Sequence, residues 1–452
     1  MTTVAGAVVR AAAAALPNHI LRSCTSALGA LAPSSTSASS ASDSASSSLA
    51  PLSRITETFQ REAQIPTASV RRQRLREARR AAARAAIENP AHHPQREWEQ
   101  SPVPLLPHIM YPRNETPISP AFSSSEVLTD TFGRVHNYLR ISLTEKCNLR
   151  CQYCMPEEGV ETPPEGSLLT AEEVVRTASF FVEHGVNKIR LTGGEPTVRK
   201  DFSAILSGLG ALPGLRTLGM TTNAVLLNRY LEDMREARVN AVNLSLDSLV
   251  PGKFALITRR DAFHQVWRNL HDLVAADFCQ VKVNCVVMRN QNEDEIVDFV
   301  RLTKDMPIQV RFIEFMPFNS NGWSDSRLFP MEEMIATIRS EFPSFSKAPD
   351  PDVNETARLW GVPGFRGRVG FISSMTDLFC SSCNRLRLLA DGQMKNCLFG
   401  LEEFDLRGAL RRGESLERIV TEGVKKKKAA HGDMDLLQKE SASNRSMIRI
   451  GG

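Results

Sequence analysis

The sequence contains no apolar run of the roughly eighteen residues that a membrane-spanning helix needs. Its net charge is +4 over 452 residues, which is too small to indicate nucleic acid or another polyanion as a partner. Cysteine is scarce as well, at nine residues, and a long chain with so few does not depend on a disulfide framework. These absences argue against a membrane protein and a disulfide-stabilised scaffold, and they leave an ordinary globular protein with room for about two to three domains.

Acidic residues are missing from the start of the chain, where Asp43 is the first. The segment before it carries Arg10, Arg22, an alanine run and the beginning of a Ser/Ala-rich tract at 34–48. This composition is typical of a mitochondrial transit peptide, although a merely disordered tail can share it. We therefore predict that residues 1–124 are a targeting segment and linker, and that the protein works in the mitochondrial matrix.

Six of the nine cysteines fall into two close groups, a usage that indicates metal-binding thiols in a reducing compartment. The first group is Cys147, Cys151 and Cys154, at C-x3-C-x2-C spacing. Three such thiols can hold a cuboidal iron–sulfur cluster and leave one of its four irons open to a ligand that is not protein. Zinc is the alternative, but zinc sites usually add a second thiol pair or two histidines, and the nearest following histidine is His184.

From Tyr138 onward, short β-rich runs alternate with segments of helical length, which predicts right-handed βα units and a parallel sheet. Six strands are fewer than the eight of a closed barrel. We therefore predict an α/β fold, with a partial (βα)6 barrel over residues 125–330 and a C-terminal extension over 331–452. The predicted strands are 138–143, 188–192, 216–222, 241–247, 281–288 and 309–316. The predicted helices are 171–184, 201–212, 227–238, 262–276, 293–304 and 331–342. The first has Thr170 as its N-cap and Glu173 three residues later, the pattern of a capping box.

Several predicted strands carry polar residues on one face, although parallel strands buried on both faces are usually apolar throughout. One such residue could be a satisfied core side chain, but repetition on neighbouring strands favours a lumen that holds a polar ligand. Barrel sites lie at the carboxyl ends of strands, where the first cysteine group lies. The polar sets are Asn243, Ser245 and Asp247; Lys282 and Asn284; and Lys188 and Arg190.

The second cysteine group is Cys380, Cys383 and Cys397. Its three thiols fit either zinc with a fourth ligand from elsewhere or a second cluster with an open iron. Arg385 and Arg387 lie two residues apart on a predicted strand and share a face. Beside a metal they could form a receptor for phosphates, although either alone is more often a surface ion-pair partner.

The first cysteine group, followed by Thr192-Gly-Gly-Glu-Pro196, resembles the radical S-adenosylmethionine (SAM) superfamily, in which the open iron chelates SAM. With Cys383-Asn-Arg-Leu-Arg387 added, residues 128–452 resemble the molybdenum cofactor biosynthesis protein A family of GTP 3′,8-cyclases. The resemblance implies two 4Fe–4S clusters, one on each cysteine group. SAM cleavage would give a 5′-deoxyadenosyl radical that takes hydrogen from C3′ of GTP, and the ribose carbon would then bond to C8 of guanine. The second cluster would hold the guanine.

The resemblance also implies individual roles. A flexible tail ending in Gly451-Gly452 would enter the active site. An unidentified electron donor, a downstream cyclic pyranopterin monophosphate synthase and possible homodimerisation are implied as partners. Arg311 and the first three cysteines would be catalytic. The implied SAM contacts are Gly194, Glu195, Thr221, Ser245 and Met316. The implied GTP contacts are Arg140, Lys188, Arg190, Lys282, Arg311, Arg385 and Arg387.

Two other hypotheses remain open. Another radical SAM enzyme with an auxiliary cluster, such as a peptide-modifying one, would typically carry more cysteines in its C-terminal extension. A zinc-stabilised nucleic-acid-binding protein would leave the Gly-Gly-Glu-Pro motif and the polar strands unexplained. The run Lys425 to Lys428 is predicted to be a solvated basic helix with no role in the site.

Overall fold

The computed structural model describes residues 126–451, except 162, 163, 165, 320, 350–354, 378 and 433; it describes only the backbone of 434–436. The predicted targeting segment, Cys24 and Gly452 lie outside the described residues. By contacts the chain divides into Met1–Arg74 and Leu75–Gly452, and every described residue belongs to the second unit. No helix in the described part of the chain is long and apolar enough to cross a membrane.

The described residues form a twelve-stranded sheet in the order β12-β11-β10-β1-β2-β3-β4-β5-β6-β9-β8-β7. Strands β1 to β6 pair in parallel with their sequence neighbours, which confirms the predicted α/β fold. Two later strands also join in parallel, β10 beside β1 and β9 beside β6. The strands are β1 Tyr138–Ser142, β2 Lys188–Thr192, β3 Thr217–Thr222, β4 Val239–Ser245, β5 Gln280–Val287, β6 Gln309–Glu314, β7 Ser346–Lys347, β8 Arg358–Gly361, β9 Arg368–Ile372, β10 Arg385–Leu388, β11 Gln393–Lys395 and β12 Phe404–Asp405.

Helices follow most of the parallel strands, and two predicted helices are divided. The predictions for 227–238 and 293–304 are wrong at their first turns, which are the 3-10 helices Leu227–Tyr230 and Glu293–Glu295. The first also ends early, because Arg238 has a left-handed φ of 58° that a helix cannot continue through. The α-helices are α1 Ala171–Glu183, α2 Phe202–Gly210, α3 Leu231–Glu236, α4 Pro251–Thr258, α5 Phe263–Ala276, α6 Ile296–Asp305, α7 Met331–Glu341, α8 Leu406–Arg411, α9 Glu417–Lys425, α10 Met434–Ser441 and α11 Met447–Ile450.

The apolar core joins the helices to the outer face of the sheet. Phe299 of α6 lies edge-on to Phe312 of β6, with ring centroids 6.1 Å apart, and Phe312 lies 5.9 Å from Phe371 of β9. All three rings are almost completely buried. Burial of large aromatic side chains contributes strongly to stability, so the outer face holds the fold together and the inner face is left to polar side chains.

The predicted capping box of α1 is present. The Thr170 hydroxyl accepts from the Glu173 backbone N–H at 3.1 Å, and the Glu173 carboxylate accepts from the Thr170 N–H at 2.9 Å. Thr170→Ala is therefore expected to lower the free energy of unfolding by about 1 kcal/mol in urea titrations. Thr337→Ala, inside α7, is the control because it removes a threonine without removing a cap. An equal loss in both variants would contradict the prediction.

Candidate active site

Two rows of register partners cross the inner face of the sheet on β10, β1 and β2. Residues two apart on a strand project to the same side, so both rows face the same space. The rows are Arg387, Arg140 and Arg190, and, two residues earlier on each strand, Arg385, Tyr138 and Lys188. All six side chains line one cavity, referred to below as the cationic cavity.

The cationic cavity continues along the sheet to β6. There Arg311 donates from Nε and Nη2 to the Asn284 Oδ1 atom at 2.9 and 2.7 Å. The second cysteine group also lines the cavity, together with the rings of Phe379 and Phe399. Cations, thiols and aromatic faces thus meet in one space, a combination suited to a ligand with anionic, metal-binding and planar parts.

The charges of this cavity repel one another. Burial, reinforced by Arg140, lowers the pKa of Arg387 to about 9, and burial with Arg190 lowers that of Arg311 to about 10. Burial opposes ionisation of Tyr138, but Arg190 and Arg140 outweigh it and lower its pKa to about 6. Because a bound anion would relieve this repulsion, the electrostatics favour a multiply charged anionic ligand.

Two buried polar atoms point to a ligand as well. The Thr221 Oγ1 and Asn243 Oδ1 atoms have no hydrogen-bond partner within the described structure, and both residues line the cationic cavity. An unsatisfied buried polar atom costs about 1–3 kcal/mol. A polar ligand would remove that cost.

The first cysteine group lies in the loop after β1 and lines a second cavity, referred to as the thiol cavity. The described cysteines are all free of disulfides. Burial, together with Glu195, raises the pKa of Cys147 to about 11, and burial with Cys147 raises that of Cys154 to about 12. Buried thiols of this kind become stable thiolates only when a metal compensates their charge, so the donor set fits a metal cluster.

No set of three or more His, Cys, Asp or Glu side chains in the described residues converges as the ligands of one ion would. A single zinc ion needs all its ligands within about 2.0–2.3 Å. A cuboidal cluster spreads its thiolates over separate irons. An iron and zinc count of the reconstituted protein therefore distinguishes a cluster from a single zinc ion.

The Gly-Gly-Glu segment packs against the cysteine loop through its backbone. The Gly194 N–H donates to the Thr144 carbonyl at 2.7 Å, and the Glu195 N–H donates to the Lys146 carbonyl at 2.8 Å. A Cβ on Gly194 would lie 2.2 Å from the Lys146 oxygen. Only glycine permits this approach, which is why the motif fixes the cysteine loop at the end of β2.

The Glu195 carboxylate is buried and accepts from the Thr222 hydroxyl at 2.7 Å and the Asn223 N–H at 2.7 Å. It therefore ties the end of β2 to the end of β3. Burial raises its pKa, although these hydrogen bonds oppose the shift. In the same cavity, the Tyr153 hydroxyl donates to the Asp247 carboxylate at 2.8 Å and holds the cysteine loop to the turn after β4.

The two cavities adjoin, because Thr221, Asn284 and Ile313 line both of them. The C-terminal tail reaches the same place. Its Gly451 carbonyl accepts from Arg140 at 3.0 Å and from Arg387 at 3.4 Å. A ligand in the thiol cavity can therefore approach a ligand in the cationic cavity beside the tail.

The second cysteine group has a cation behind it. Lys427 lies with its Nζ atom 3.4 Å from the Cys383 Sγ atom and 2.8 Å from the Arg385 carbonyl. The prediction of a solvated basic helix is wrong for Lys427, which is 4% exposed, and for the helix beyond Lys425, where α9 ends. Lys425, Lys426 and Lys428 are exposed, as predicted. Burial opposes ionisation of Cys383, but Lys427 and Arg385 outweigh it and lower its pKa to about 7.

Lys427→Met is expected to slow alkylation of Cys383 at pH 7 by roughly tenfold in the metal-free protein, because the thiol loses the cation that stabilises its thiolate. Iodoacetamide labelling with mass mapping of the modified cysteine measures this rate. Lys426→Met is the matched control, since that side chain is exposed and pairs with Glu422. An unchanged Cys383 rate in Lys427→Met would contradict the prediction.

The sites expected from sequence have these positions. The thiol cavity is lined by Cys147, Cys151, Cys154, Gly194, Glu195, Thr221 and Ser245. The cationic cavity is lined by Arg140, Lys188, Arg190, Arg311, Arg385, Arg387, Met316, Cys380, Cys383 and Cys397. Lys282 does not line it directly and pairs with Glu355, which does. Sequence reasoning missed Tyr138, Glu355 and Lys427; only Tyr138 carried a signal, its alternation with Arg140.

The three-thiol loop at the carboxyl end of a parallel α/β sheet defines the class, and the Radical SAM superfamily profile matches residues 141–303. The protein is therefore a radical SAM protein, which implies SAM and one 4Fe–4S cluster as cofactors. The Molybdenum Cofactor Synthesis C profile matches residues 308–433. The fold resembles Streptococcus suis SuiB solved with S-adenosylmethionine, at 13% identity and a TM-score of 0.47 over 63% of this chain and 65% of that one.

Curated relatives place the chain more narrowly. It is 52% identical to Arabidopsis thaliana "GTP 3′,8-cyclase, mitochondrial" over 73% of this chain and 84% of that one. It is 41% identical to the "GTP 3′,8-cyclase" of Peptoclostridium acidaminophilum over 73% and 99%. Mus musculus "Molybdenum cofactor biosynthesis protein 1" is 52% identical over 72% and 51%, so the chain spans about half the length of such animal relatives. The chain belongs to the GTP 3′,8-cyclase family of molybdenum cofactor biosynthesis proteins.

Proposed function

We propose that this protein converts GTP to its 3′,8-cyclised dihydroguanosine triphosphate, the first step of molybdenum cofactor biosynthesis. The observation that carries the proposal is the adjoining pair of cavities, one lined by three thiols and the other by a cationic array with three more thiols. A triphosphate supplies the multiple negative charge that the array favours. The names of the plant and bacterial relatives support the same reaction.

Each cavity has a proposed occupant. SAM occupies the thiol cavity, where Gly194, Glu195, Thr221 and Ser245 surround it. Met316 would contact SAM from the side of the cationic cavity. Cys147, Cys151 and Cys154 would hold the first cluster, and SAM bound there would supply radical chemistry for hydrogen abstraction from the substrate ribose. The chain's own residues orient the nucleotide so that C3′ faces the thiol cavity.

GTP occupies the cationic cavity. Arg140, Lys188 and Arg385 contact its phosphates, with Arg190, Lys282, Arg311 and Arg387 completing the positive field. Cys380, Cys383 and Cys397 would hold a second 4Fe–4S cluster, which would bind the guanine. Its thiols fit that role because they line the same cavity as the phosphate-type arginines. The C-terminal tail that carries Gly451 fills the space beside the nucleotide and excludes water from it.

The proposed cellular location and partners are those expected for the family. The protein acts in mitochondria, as the name of the Arabidopsis relative suggests. It receives electrons from a separate donor and passes its product to a cyclic pyranopterin monophosphate synthase, with homodimerisation as a further expectation.

Isotope transfer tests the reaction directly. Anaerobically reconstituted protein is incubated with SAM, dithionite and GTP that carries deuterium at C3′. We expect deuterium in 5′-deoxyadenosine and a product with the mass of cyclised GTP; GTP deuterated at C2′ is the control and should transfer none. Deoxyadenosine without deuterium from the C3′-labelled substrate would contradict the proposal and would favour another radical SAM reaction with an auxiliary cluster.

A further inference from the structure

The cationic cavity contains one carboxylate, that of Glu355, among the described residues that line it. Its Oε1 atom lies 3.2 Å from the Lys282 Nζ atom and 4.0 Å from the Arg311 Nη1 atom. All three side chains are largely buried, with 16% exposure for Glu355, 9% for Lys282 and 7% for Arg311. An acid at this place is unexpected, because a receptor for phosphates repels its ligand wherever it holds negative charge.

The carboxylate is charged at neutral pH. Burial opposes its ionisation, but Lys282, Lys188 and Arg311 outweigh burial and lower the pKa of Glu355 to about 2. It also separates Lys282 from the space that a ligand would occupy, since Glu355 lines the cavity and Lys282 does not. The lysine nevertheless lies on the inner face of β5, in register with Asn243, which does line the cavity.

We propose that Glu355 is a built-in competitor of the substrate phosphates. In the nucleotide-free protein its carboxylate occupies the anion position at Lys282 and Arg311, and the incoming triphosphate displaces it. An anion that meets Lys282 alone exchanges one ion pair for another and gains little. A triphosphate also meets Arg385, Lys188 and Arg140, so it can displace the carboxylate. Glu355 thereby restricts the receptor to polyphosphates; the identification of that polyphosphate as GTP rests on the proposed function.

Two opposite effects follow from removing the charge. Glu355→Gln keeps the size of the side chain but leaves Lys282 and Arg311 without their anion, so the unliganded protein loses stability. The same change removes the competitor, so anions bind more tightly. A residue with a merely structural role would lower both stability and affinity.

The test uses the full chain, reconstituted anaerobically, with inorganic tripolyphosphate, orthophosphate and GTP as probes in calorimetry and thermal unfolding. We expect Glu355→Gln to melt several degrees below wild type, and to bind tripolyphosphate about tenfold more tightly, which corresponds to about 1.4 kcal/mol. Millimolar orthophosphate should stabilise the variant and leave wild type unchanged. Glu414→Gln, which removes an exposed carboxylate paired with Arg412, is the control and should match wild type.

Equal or weaker tripolyphosphate binding by Glu355→Gln would overturn the inference. If Glu355→Gln fails to fold, Glu355→Asp replaces it in the test, because its shorter side chain moves the carboxylate away from Lys282. Tighter tripolyphosphate binding than in wild type supports the inference, and equal or weaker binding overturns it. Failure of the proposed function looks different. In that case Glu355→Gln still binds tripolyphosphate more tightly than wild type does, but neither protein binds GTP.

Discussion

Replacing Cys151 with alanine is expected to abolish 5′-deoxyadenosine formation to below detection and to remove about four irons per chain, the content of one cluster. Burial, reinforced by Asp247, raises the pKa of the Cys151 thiol well above its ordinary value. Without a metal, such a thiol stays protonated and does not form the thiolate that binds iron. With two thiols left, the cluster loses a ligand, and none of the other described residues that line the thiol cavity is a cysteine.

Cys279→Ala is the matched control for this prediction. That cysteine is also buried, at 3% exposure, but it belongs to neither group and does not line the thiol cavity. The Cys279→Ala protein should retain wild-type iron content and SAM cleavage. Persistent deoxyadenosine formation by Cys151→Ala in an anaerobic assay would overturn the assignment of the first cluster.

Arg385→Ala is expected to weaken GTP binding by ten- to a hundredfold, in line with about 1.5–3 kcal/mol for a hydrogen bond to a charged group. Its guanidinium lies 5.8 Å from the Tyr138 ring centroid and 5.4 Å from that of Phe379, on the side of the second cysteine group. The residue does not line the thiol cavity. Saturating GTP should therefore restore SAM cleavage in the variant.

Calorimetry with GTP and deoxyadenosine assays at high and low GTP measure the two effects separately. Arg412→Ala, an exposed arginine paired with Glu414, is the control and should bind GTP as wild type does. Loss of SAM cleavage with intact GTP affinity in Arg385→Ala would contradict the role of this arginine.

The parallel strands could be predicted from the sequence because each strand is indicated by the residues within it. Strand β2 has the predicted bounds, and β1 differs by one residue at its end. The polar alternation of Lys188 and Arg190 correctly indicated an inner face that faces a cavity. The capping box at Thr170 was predicted for the same reason, since all of its groups lie within one helical turn.

The missed residues depend on contacts between distant parts of the chain. Lys427 is one of four consecutive lysines, but it is buried and its Nζ atom contacts Cys383, which lies 44 residues away in sequence. Glu355 meets Lys282 across 73 residues of sequence. Neither position shows a periodicity that would separate it from a solvated charge. The pairing of β10 with β1, which places Arg387 beside Arg140, is equally non-local.

The proposed reaction requires two three-thiol sites that hold clusters on either side of one nucleotide cavity. An iron and sulfide count of the anaerobically reconstituted full chain tests it most directly, compared with two variants in which either cysteine group is replaced by alanine. We expect about eight irons in wild type and about four in each variant, the content of two clusters and of one. About four irons in wild type, with zinc retained by the second group, would contradict it.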